Sequence, residues 1–172
     1  MATDRARPAQ SAGEREMLMG WLEHHRGILI WKCDDLTADQ LRLRAVPPST
    51  LSLLGLVRHM AQVERGWFRQ VFAGEDVPDL YDWTADKDAD FNDVDRADPA
   101  EAFSAFEREC AASRRVVAQA PSLDDLSTQV SERTGQRWSL RWIVTHMIEE
   151  YARHNGHADL LRECLDGSTG YY

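Results

Sequence analysis

Apolar residues recur at helical spacing in long stretches of this chain. Between about Ser11 and Asp34, Met17, Trp21, His24, Ile28 and Trp31 follow at steps of 4, 3, 4 and 3, which places them on one helix face. From about Ser52 to Phe72, Leu53, Leu56, Met60, Val63 and Trp67 form a second face. A third helix is expected from Asp98 to near Pro121. Asp98 can cap it, Pro99 suits its first turn, and Glu101 completes a capping-box pattern. A fourth runs from the cap Ser139 to the stop Gly167. Thr37 caps a short turn before Pro47-Pro48, and "TQVSERTGQRWS" predicts an irregular or hairpin-like link around Thr134-Gly135.

No series of strands competes with these helices. The expected fold is all-α, a four-helix bundle with a long loop between helices 2 and 3. Residues 1–10 read as a disordered lead-in, leaving 11–172 as one domain. The acidic loop 74–98 carries Tyr81, Trp83 and Phe91 and is longer than ordinary connections. It is expected to pack over or beside one bundle end and help form a substrate cleft; alternatively, its aromatics pin it to the helices.

Two of the helices look related. "SLLGLVRHM" (Ser52 to Met60) aligns without a gap with "SLRWIVTHM" (Ser139 to Met147). A bundle of two similar helical hairpins accounts for this simply.

The fourth helix then poses a chemical question. Its stripe runs Leu140, Ile143, Met147, Glu150, His154, His157, Leu161, Cys164, apolar at both ends and titratable in the middle. A carboxylate buried without a partner costs several kcal/mol. Glu150 and His154 are one turn apart on one face, the spacing by which a helix offers two ligands to one ion. His59, between Leu56 and Val63 on the second helix, is the natural third donor. A His, Glu, His set suits Zn²⁺, Ni²⁺, Fe²⁺ or Mn²⁺ and leaves coordination positions open for water or substrate. The competing reading is a plain buried Glu150–His154 ion pair. His146 is a rival ligand, His157 an outer hydrogen-bond partner, and His24 or His25 a fourth contact.

Composition narrows the class. The 172 residues are 43% hydrophobic and 28% charged, an ordinary globular balance. A net charge of −9 disfavours a nucleic-acid partner. No apolar run approaches the roughly 20 residues of a membrane span, and "MATDRARPAQ" lacks a signal-like apolar core. A cytoplasmic protein with no membrane partner is expected. Cys33, Cys110 and Cys164 match no metal or redox spacing and read as reduced, mostly buried thiols.

The stretches "LTADQL…VPPSTLSLLGLVRHMAQVERGWF" and "WSLRWIVTHMIEEYARHNGHADLLRE" resemble the DinB superfamily, in its mini-circle-protein-like branch, over nearly the whole chain after about Gly13. The resemblance implies a four-helix bundle, often a homodimer, with a metal site in a cleft at one end. It places the ligands at His59, Glu150 and His154. Glu150 stands where many members have His; in this the chain is similar to the thiol-dependent maleylpyruvate isomerases. The resemblance therefore implies a transferase or isomerase on a small molecule, using a low-molecular-weight thiol such as mycothiol. A metal-dependent hydrolase and a non-catalytic metal-binding or stress-response protein are the alternatives.

Overall fold

Local capping decides where most of the helices begin. The computed structural model describes residues 7–170, so the expected lead-in at 1–10 falls largely outside the described residues. Helix α1 (Glu14–Trp31) has no side-chain cap but carries Glu14 and Glu16 in its first turn, where they complement the helix dipole. Short α2 (Ala38–Arg42) starts at a Thr37–Gln40 capping box. In α3 (Leu53–Glu64) the Ser52 hydroxyl accepts the Gly55 N–H at 3.1 Å.

The second predicted helix is not uniform. Beyond Glu64 it continues through Arg65–Phe72 with wider π-helical winding. There Arg65 and Arg69 both reach Glu109, at 2.6 and 3.1 Å. The long loop is also partly structured, holding α4 (Ala89–Asn92) and a 3₁₀ turn at Asp93–Arg96. Helix α5 (Pro99–Gln119) has Asp98 as its cap, but the carboxylate takes the Ala100 N–H rather than closing a box with Glu101.

The expected hairpin-like link is a true hairpin, so the fold is mostly helical with one small two-stranded sheet, compatible with the expected all-α class. Strands β1 (Leu126–Val130) and β2 (Arg137–Ser139) pair antiparallel, Leu126 opposite Ser139 and Val130 opposite Arg137, with an irregularity between. The Ser127 hydroxyl bridges it, accepting the Trp138 N–H at 3.0 Å and donating to the Gln129 carbonyl at 2.7 Å. Gly135 turns the chain at φ 69°, a conformation costly for other residues. Helix α6 (Leu140–Asp166) opens on the Ser139 cap and stops at Gly167, φ 77°.

Helix α3 lies chiefly against α5, and α1 against α6, while α3 also touches α6. The repeat holds its place in the core. Leu53, Leu56, Val57 and Met60, with their counterparts Leu140, Ile143, Val144 and Met147, are all 0% exposed. Each such side chain contributes about 1.5–3 kcal/mol by leaving water.

Charge is buried among them. Arg26 donates through Nε and Nη2 to the two oxygens of Glu64, at 2.7 and 2.6 Å, and the Tyr151 hydroxyl donates to Glu64 at 2.7 Å. Burial works against the Arg26 charge, but Glu64 outweighs it and holds the guanidinium well above its ordinary pKa. The fork-to-fork geometry and the added hydroxyl are what make a buried pair tolerable.

The predicted stripes are displaced in detail. Tyr151, fully buried, continues the inward face of α6, and Glu150 sits at its edge, half-buried. Leu22, Ile28 and Leu29 form much of the α1 face, and Met17 lies outside it. Cys33 and Cys110 are buried, and burial pushes the Cys33 thiol up to about 12 and the Cys110 thiol further up. Cys164 is exposed, against expectation, because four residues per step carry the inward face from Leu161 to Leu165 rather than to Cys164.

Candidate metal centre

The three predicted ligands converge. Helix α6 presents Glu150 and His154 one turn apart, and α3 presents His59 across from them. One ligand atom from each lies within 4.8 Å of the others. His154 Nε2 is 3.4 Å from a Glu150 oxygen, and the His59 and His154 ring centroids are 4.8 Å apart. His154 is 9% exposed, so the set looks inward.

Loop 74–98 completes the surroundings. Asp90, buried at 1% exposure, takes His59 Nδ1 at 2.7 Å, and Phe91 stacks on the same ring at 4.9 Å. With Nδ1 committed to a carboxylate, Nε2 is the nitrogen left to face the centre. That carboxylate–histidine arrangement fixes tautomer and ring orientation at metal sites. The loop is pinned along α3. Arg58 donates to the Asp90 and Ala89 carbonyls at 2.8 and 3.1 Å and lies over the Tyr81 ring at 4.1 Å. Gln62 donates to Asp79 and accepts the Leu80 N–H. The loop therefore flanks His59, and its Asp90 is the site residue that the sequence reading missed. One carboxylate in so acidic a segment carries no distinguishing mark until the fold brings it to a histidine.

Burial, then the neighbouring His59 and His157, hold the His154 imidazole far below its usual range, at about 3. Its neutral form, the one that ligates, is the resting state. His157 Nδ1 lies 3.4 Å from His154 Nδ1, beside the set rather than in it. His24 and His25 do not reach it: His24 lies against Trp21 and His25, and His25 is bonded by Asn155.

His146, Glu149 and Glu150 form a second set within the same distance. Its Glu149 is exposed and paired with Arg153, however, and His146 is held between Trp67 and Trp142 at 4.8 and 5.0 Å. His146 Nε2 is 3.6 Å from the Glu150 oxygen that His154 does not face. Two imidazoles and one carboxylate fit a divalent first-row cation, so the inward set satisfies the donor chemistry.

A mostly helical chain with a histidine–carboxylate–histidine set between two helices defines a class of small helical proteins with an ion-binding candidate in the interior. Within that class, the chain belongs to the mycothiol-S-transferase family, whose model matches residues 17–167, in the DinB-like superfamily. No curated protein matches it. Among the described residues, no helix is long and apolar enough to cross a membrane.

Proposed function

We propose that this protein is a divalent-metal-dependent transferase or isomerase that acts on a small molecule with a low-molecular-weight thiol, mycothiol, as co-substrate. The convergence of His59, Glu150 and His154 on one point is the observation that supports it most; the family match supports the thiol. In this reading the long helices form the four-helix bundle of the DinB type, as one domain over 11–172. The protein works in the cytoplasm as a homodimer.

The roles divide among the chain's own residues. His59 Nε2, His154 Nε2 and a Glu150 oxygen would hold the ion, and their donor chemistry suits Zn²⁺, Ni²⁺, Fe²⁺ or Mn²⁺. Asp90 accepts the His59 Nδ1 proton and keeps the ring aimed. Phe91 covers that ring and limits water. A divalent ion bound there would supply Lewis acidity that favours the thiolate over the thiol near neutral pH.

Metal analysis of the purified protein should find about one divalent ion per chain. Mycothiol transfer to an electrophile should vanish on chelation and return on metal addition. Glu150→Gln should weaken metal retention with helical content intact. A protein that transfers the thiol equally well with chelator present would sink the metal role.

A further inference from the structure

A cleft of about 490 Å³ opens where the hairpin meets the π-helical stretch and the start of α6. Its walls include Trp67 from the π-helical stretch, Trp138 from β2 and Trp142 from α6, with Arg133, Gln136 and Arg137 from the hairpin. The indoles meet one another at 5.3–6.3 Å between centroids, inclined at 45–86°, and form an angled aromatic wall. Trp142 stays 45% exposed even though His146 stacks on it.

The cleft's charge opposes the protein's. The chain carries −9, yet no Asp or Glu lines the cleft, and two arginines do. Neither Arg133 nor Arg137 makes an ion pair among the described residues. A cation would meet two like charges there. Aromatic walls with a few placed polar groups, at this volume, are the usual make-up of small-molecule sites.

A ridge of α6 relates the cleft to the candidate centre about two turns further on. Trp142, His146, Glu150 and His154 succeed one another at intervals of four along α6, so they form one ridge from cleft to ligands. Trp67 closes on His146 from the other side.

We infer that this cleft binds a planar aromatic anion, an aryl carboxylate or aryl sulfonate, stacked on the exposed Trp142 ring, edged by Trp67 and Trp138, with its charge on Arg133 and Arg137. The inference rests on the proposed transferase reading in one respect: it makes this ligand the second substrate, lying beside the thiol. The binding itself stands on the cleft alone.

Calorimetry on metal-free protein, with 2-naphthoate and its neutral isostere 2-naphthamide, tests this independently of the metal. The carboxylate should bind at least about tenfold more tightly than the amide, since two charge-assisted contacts are at stake. The double variant Arg133→Gln/Arg137→Gln should erase that difference. Trp142→Ala, at a largely exposed position, should weaken both ligands by about tenfold or more while keeping the melting curve. Equal binding of the two probes, no saturable binding of either, or indifference to both variants overturns the inference. Naphthoate binding by a protein that takes up no divalent ion when one is added back would leave the cleft standing and remove the proposed centre.

Discussion

His59 and His146 hold equivalent positions in two helices that begin alike. Ser52 and Ser139 cap them through the same bond to the residue three along, and the matching apolar residues are buried to the same degree. Their surroundings differ. His59 meets Asp90 and Phe91, delivered by the loop after α3, and turns its free nitrogen toward His154 and Glu150. His146 meets Trp67 and Trp142, two indoles that wall the cleft, and backs them from behind. Local sequence decides where a histidine stands; distant segments decide what it does. Glu150 lies between them, one oxygen toward each side.

If the two cores are equivalent, truncating them should cost alike. Met60→Ala and Met147→Ala should each lose about 2–5 kcal/mol in denaturant unfolding, and a wide gap between them would break the parallel. The histidines should then separate. His59→Ala should lower metal affinity at the proposed centre by at least about 100-fold, and Asp90→Asn by about 10–100-fold. His146→Ala should matter far less; titration calorimetry showing the reverse order would move the ion to the His146 set.

A third variant acts on the aromatic side. Burial raises the Glu109 carboxyl, but hydrogen bonds from Arg65 and Arg69 outweigh it and leave the pKa below the ordinary 4.5. These arginines belong to the stretch that carries Trp67. Glu109→Gln should cost about 1–3 kcal/mol at pH 7. A depressed carboxylate stabilises above its unfolded pKa and loses that contribution as pH falls through the folded value. The gap between variant and parent melting curves should therefore close below 4.5. The smallest effect belongs to the caps: Ser52→Ala and Ser139→Ala should each cost about 1 kcal/mol, again in parallel.

Helix starts were legible because a cap is local: Thr37, Ser52, Asp98 and Ser139 each bond within their own first turn. The Glu150–His154 pair was legible for the same reason, being set by one helix. His59 required only that α3 bury its apolar face. Asp90 was not legible, because its partner lies 31 residues away and its own segment is crowded with acids. The Arg26–Glu64–Tyr151 group was hidden too, since charged residues in an apolar stripe read as surface until their partners are known. Period alone also misassigned Met17 and Cys164, each a residue or so off the face it was given.

Membership of the mycothiol-S-transferase family gives the chain's own thiols a second significance. A cell rich in a small thiol also contains its disulfide, and any protein thiolate it reaches can be captured as a mixed disulfide. Cys33 and Cys110 are shielded from that trade, being enclosed and held protonated. Cys164 stands in solvent ten residues beyond His154, about 15 Å along the helix. Redox stress should thus mark this chain with one adduct, at a spot remote from its candidate chemistry, and intact-mass measurement in an oxidised thiol buffer should show that single increment.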